Sequence, residues 1–62
     1  MDRELRRLRR ALDTMSEAER GVFERARFRD LDYIEIAAEL DLTTAEVERL
    51  MAGAMRHLLR SP

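Results

Sequence analysis

Thr43, Thr44, Glu48 and Arg49 carry side chains whose types suit a chemical task. Arginine can donate two hydrogen bonds to O6 and N7 of guanine. Glutamate can accept from N4 of cytosine, and threonine can touch a phosphate or the methyl of thymine. These are groups that read base edges, not groups that make or break bonds. Each has a plainer role as well. Arg49 can pair with Glu46 or Glu48 along a helix surface, Glu48 can be a solvated acid, and Thr43 can cap a helix.

No set of residues argues for catalysis. The carboxylates are spread over polar helix faces, and no nucleophile-base set or glycine-rich phosphate loop is present. His57 is the single histidine and there is no cysteine, so no metal site is expected, nor any cofactor, and disulfides are excluded.

Those candidate residues need a scaffold, and the surrounding pattern supplies one. Tyr33 to Leu50 reads as a short helix, a tight turn at Asp41-Leu42 and a second helix. Apolar residues fall where two such helices would cross. This is a helix-turn-helix pattern, whose second helix often enters the major groove. Upstream, Leu5, Leu8, Leu12 and Met15 mark one face of a helix from about residue 2 to 14. Ser16 with Glu19 forms a capping-box signature that starts a second helix at Glu17. Val22, Phe23 and Ala26 are its expected buried stripe, and Gly21 weakens it slightly.

Asp32 with Glu35 is the second such signature and opens the third helix, which ends at Leu40. Its apolar positions are Ile34 or Tyr33, then Ile36, Ala37 and Leu40, and the small Ala37 and Ala38 permit a close helix approach. Thr43 with Glu46 is the third signature. It starts a last helix over Thr44 to about Leu59, with Val47, Leu50, Met51, Ala54 and Leu58 facing inward, and Ser61-Pro62 closing the chain. The expected architecture is all-α: one domain over residues 1–62 with four short helices. Met51 is expected in the core. Met55 and Leu59 exceed what so small a core can bury and are candidate protein-contact residues, a use that suits methionine.

The length of 62 residues limits the surface buried on folding to about 60% of the extended chain. No apolar run is long enough to cross a bilayer, and the charged start does not resemble a signal peptide. A soluble, cytoplasmic protein without membrane contact is the expectation. The net charge is -1 and all twelve basic residues are arginine. Residues 1–29 hold nine arginines against six acids, while residues 30–62 hold three against seven. DNA affinity comes largely from neutralised phosphates, yet the half with the reading motif is the acidic one. The cluster from Arg3 to Arg10 suits a DNA backbone, RNA or an acidic protein surface, or serves as a solvated helix face.

The ordered set of residues resembles region 4 of the sigma factors of bacterial RNA polymerase, especially the extracytoplasmic-function group. The resemblance rests on Leu8, Ala11 and Leu12; on Arg20, Val22 and Phe23; on Leu31, Tyr33, Glu35, Ile36, Ala37, Leu40 and Leu42; and on Val47, Glu48, Ala54, Arg56, His57 and Leu58. It runs from about Leu8 to Arg60, and the tail from Val47 looks most like the iron-uptake branch. It implies a helix-turn-helix that binds the promoter -35 element through its last helix, with Thr44, Ala45, Glu48 and Arg49 at the base-reading positions. It also implies contact with the polymerase flap and with anti-sigma factors.

The sequence departs from the family pattern in the short, neutral Thr44 and Ala45, in the acidic Glu46 and Glu48, at Gly53 and Met55, where basic or polar residues are frequent, and at Asp41, which replaces a turn glycine. Nothing in it matches the promoter-melting region 2, so a stand-alone region 4, or a fragment, is expected. The resulting expectation is a DNA-binding transcription regulator, not an enzyme, with promoter DNA as partner. The alternative is a protein-interaction module for RNA polymerase, an anti-sigma factor or a second copy of itself, with DNA contact weakened or lost.

Overall fold

A computed structural model describes residues 3–60. The expected helix start at residue 2 and the Ser61-Pro62 end lie outside the described residues. Four helices follow one another: α1 over Arg3–Thr14, α2 over Glu17–Phe28, α3 over Tyr33–Leu40 and α4 over Thr44–Arg60. The last therefore ends one residue beyond the expected Leu59.

Three of the four helix starts are set by local hydrogen bonds that the sequence spells out. The Ser16 amide donates to Glu19 Oε1 at 2.9 Å, and the Glu19 amide donates to Ser16 Oγ at 3.1 Å. Asp32 and Glu35 exchange the same pair at 2.9 and 2.8 Å. Thr43 and Glu46 do so at 3.0 and 3.1 Å. Each pair satisfies two amides that a helix N-terminus would otherwise leave without partners.

Both turns that flank α3 place an aspartate in the left-handed region. Asp30 has φ 54° and Asp41 has φ 58°. The Leu31 amide reaches back to the Arg25 carbonyl at 3.1 Å, and the Leu42 amide reaches the Ala37 carbonyl at 2.8 Å. These bonds close the ends of α2 and α3 in the manner usually served by glycine. Asx side chains tolerate this region better than other L-residues, though at a cost.

Two apolar clusters meet along α4. Ala11, Met15, Phe23 and Ala54 form one, with Leu8, Leu12 and Leu58 packed against it. Val22, Ile36, Ala37 and Val47 form the other, with Ala26, Leu31, Leu40, Leu42 and Leu50 around it. Met51 packs against both. The C-terminal half of α4 thus holds α1, its N-terminal half holds α3, and α2 touches both clusters. The result is elongated, 34 × 19 × 15 Å.

Four apolar residues sit differently from expectation. Leu5 is 55% exposed, because it borders an open groove beside Met51, Met55 and Leu58 of α4 instead of a filled core. Ile34 is 72% exposed and Tyr33 is on the surface. Ile36, Ala37 and Leu40 already claim the side that faces α4, and Ile34 lies about 200° around the helix from Ile36. Ala38 is exposed, so the close approach rests on Ala37 alone. Across the α2–α3 joint, Arg25 Nε donates to Glu39 Oε1 at 2.9 Å and Arg29 pairs with the same carboxylate. These guanidinium bonds, Arg29's first, hold the Glu39 carboxyl below its ordinary range.

Gly53 is buried for a reason the sequence did not announce. A Cβ there would lie 2.2 Å from Glu19 Oε2. The Glu19 carboxylate fills that space while it caps α2 and lies 3.3 Å from His57 Nε2. The Ser16 amide is the main cause of its lowered pKa, with His57 and Arg56 adding to it. His57 Nδ1 lies 3.2 Å from Thr14 Oγ1, whose hydroxyl donates to the Ala11 carbonyl at 2.8 Å. One side chain of α4 therefore ties the end of α1 to the start of α2.

Two stability predictions follow. Asp41→Gly relieves the Cβ strain and removes an acid from a helix C-terminus, so it should stabilise the fold by about 0.5–1 kcal/mol and raise Tm by several degrees. Gly53→Ala should stabilise by about 1 kcal/mol in a Glu19→Ala background, from helix propensity. In the parent chain the gain should shrink or vanish, since the Glu19 carboxylate must leave its cap. A double-mutant cycle by chemical denaturation reads the difference.

Candidate nucleic-acid interface

The start of α4 is fixed from two sides. Inward, Val47 is fully buried against Ile36 and Ala37 of α3, and Leu50 is half-buried beside it. Outward, Thr44, Ala45, Glu48 and Arg49 are all exposed. One helix side is therefore spent on packing, and the opposite side presents these four residues together on a rigid element.

Thr43 belongs to the cap. Its hydroxyl accepts from the Glu46 amide at 3.1 Å and donates to Glu46 Oε1 at 3.0 Å, and its own amide donates to the same oxygen. The Thr43 amide is the leading cause of the lowered Glu46 pKa, followed by its hydroxyl, with the Arg49 charge assisting. Glu46 thus stays ionised at the helix start, where a free N-terminus would otherwise attract a phosphate.

Charge on this end is mostly negative. Asp41 and Glu48 are exposed and Glu46 is half-exposed, against Arg49 as the cation among residues 41–49. The arginine-rich α1 packs at the other end of α4, through Ala11 and Ala54. Thr44 and Ala54 are ten residues apart, about 15 Å along the helix. The charge asymmetry of the sequence is therefore an asymmetry in space.

Met55 and Leu59 are both exposed, at 46% and 83%, but the structure separates them. Met55 lines an apolar groove of about 550 Å³ with Leu5, Leu8, Phe23, Met51 and Leu58, while Leu59 stands outside it. The contribution of Leu5 to this groove was missed by sequence reasoning, which put it on the packed face of α1; Phe23 is in the core as expected and also lines the groove. The available signal was the surplus of large apolar residues over what a chain of this size encloses.

The family model of sigma-70 region 4 matches residues 5–58, nearly the whole chain. The chain belongs to the sigma-70 region 4 family. No curated protein and no solved structure matches it. Region 4 is a non-enzymatic helix-turn-helix of transcription regulation, so the chain is a module of the kind that contacts DNA or RNA polymerase. Among the described residues no helix is long and apolar enough to cross a membrane.

The cap assignment is testable apart from any ligand. Thr43→Ala should cost about 1 kcal/mol, and Thr43→Asp should restore most of it, because aspartate can accept the same amide bond. Equal loss in both variants, measured by thermal melting, would contradict a capping role.

Proposed function

We propose that this region 4 domain recognises a -35-like promoter element through the outward side of α4. The observation that supports the reading is the joint exposure of Thr44, Ala45, Glu48 and Arg49 on a helix whose other side is locked by Val47. Arg49 carries the base contact, as a bidentate donor to guanine. Glu48 accepts from a cytosine amine, and Thr44 and Ala45 are short enough to let the helix sit deep in the groove. Asp41, Glu46 and Glu48 keep phosphate at a distance, so the affinity is low and the element is engaged when other contacts hold the domain in place.

The apolar groove favours a second reading. Its seven apolar side chains, Met55 among them, suit a helix inserted from RNA polymerase or from an anti-sigma factor. On that reading the domain is docked by protein, and α4 then samples DNA at high local concentration.

An electrophoretic shift series at low and moderate salt tests the first reading. The parent chain should prefer a selected -35-like duplex over scrambled DNA. Arg49→Ala should lose roughly 1–3 kcal/mol on the selected duplex while leaving scrambled DNA nearly unchanged. An identical loss on both duplexes, or none on either, would remove Arg49 from base recognition.

A further inference from the structure

The outer side of α1 is turned away from the core and from the start of α4. Arg3, Arg6, Arg7 and Arg10 recur at helical spacings of three, one and three, which puts them in one stripe over two turns. All four are exposed. The helix's two acids, Glu4 and Asp13, flank the stripe and do not interrupt it. It spans roughly 10 Å, seven residues at about 1.5 Å each. Duplex DNA carries about six phosphate charges over the same axial length.

We infer that this arginine stripe is a binding site for the phosphate backbone of duplex DNA, separate from the start of α4. Three observations choose that occupant. The side chains are all guanidinium groups, which meet phosphate oxygens through paired donors. A lipid surface would need the apolar side of α1, but Ala11 and Met15 are buried and Leu8 and Leu12 are packed against the core. A peptide ligand would need apolar anchors along the charges; Leu8 and Leu58 border Arg7 alone, while Leu5 projects from the side of the helix opposite Arg3, Arg6 and Arg10 into the groove beneath.

The site also answers an electrostatic deficit. The start of α4 has a single arginine among carboxylates, so the counterion release that drives DNA association must come from elsewhere on the molecule. The stripe lies at the far end of α4, on the other side of the packed Ala11–Ala54 contact. Its binding is indifferent to sequence, because phosphates carry no base information. It does not require that α4 reads a -35-like element.

The test is the salt dependence of duplex binding by the full chain, followed by fluorescence anisotropy on a scrambled duplex. In Arg3→Gln/Arg6→Gln/Arg10→Gln the slope of log K against log salt should fall by about three, one per arginine. The matching triple Arg→Lys variant keeps the charge and should keep most of the slope. Circular dichroism shows that both retain helix, as exposed positions on glutamine- and lysine-tolerant helices should. An unchanged slope in the glutamine variant overturns the inference, as does absence of binding by the parent chain at low salt. A change confined to self-association at low salt, seen by light scattering, overturns it in favour of the acidic half of a second copy. Arg49→Ala serves as the separating arm. Loss of base preference with the slope nearly intact assigns the two functions to different helices and supports the stripe, whereas loss of the slope with preference retained places the phosphate contact on α4 and overturns it.

Discussion

Everything in this small fold depends on α4 packing two neighbours at once. Val47 and Ala54 are both completely buried, seven residues apart on one side of a single helix, and each is the centre of a different apolar cluster. Met51 lies between them and touches both. The rotation of α4 is therefore set twice, by α3 near its start and by α1 near its end. That double constraint holds the outward residues of the first turns in one orientation, which a recognition helix needs.

The same packing separates the charges. Because α1 lies against the C-terminal half of α4, its five arginines are held away from Asp41, Glu46 and Glu48 at the helix start, in a body 34 Å long. A net charge near zero then says little about the field any partner meets. The reading end is acidic, with its carboxylates partly committed to structure: Glu46 to the α4 cap, and Glu39 to the two arginines of the α2–α3 joint.

Much of this was legible along the chain. Ser16-Glu19, Asp32-Glu35 and Thr43-Glu46 each announce a helix start within three residues, and the hydrogen bonds form where those pairs place them. The inward stripe of α4 was legible too, since periodicity alone selects Val47, Leu50, Met51, Ala54 and Leu58. The exposure of Ile34 was not. Neighbouring apolar residues at the start of a short helix compete for one buried side, and the winner depends on where α4 lies. Gly53 was equally opaque, because its reason is a carboxylate 34 positions away in sequence.

By itself, then, the order of residues determined the four helices, their capped starts, the turn between α3 and α4 and the side of α4 that must be buried. Those features are set by interactions within a few residues, and local chemistry is written locally. The tertiary structure alone decided that Met55 joins a groove while Leu59 does not, that His57 bridges Thr14 and Glu19, and that the arginine-rich α1 packs on the C-terminal half of α4 rather than beside its start. Each of these depends on how rigid helices cross, and a crossing is settled by the shape of two surfaces rather than by the pattern of either.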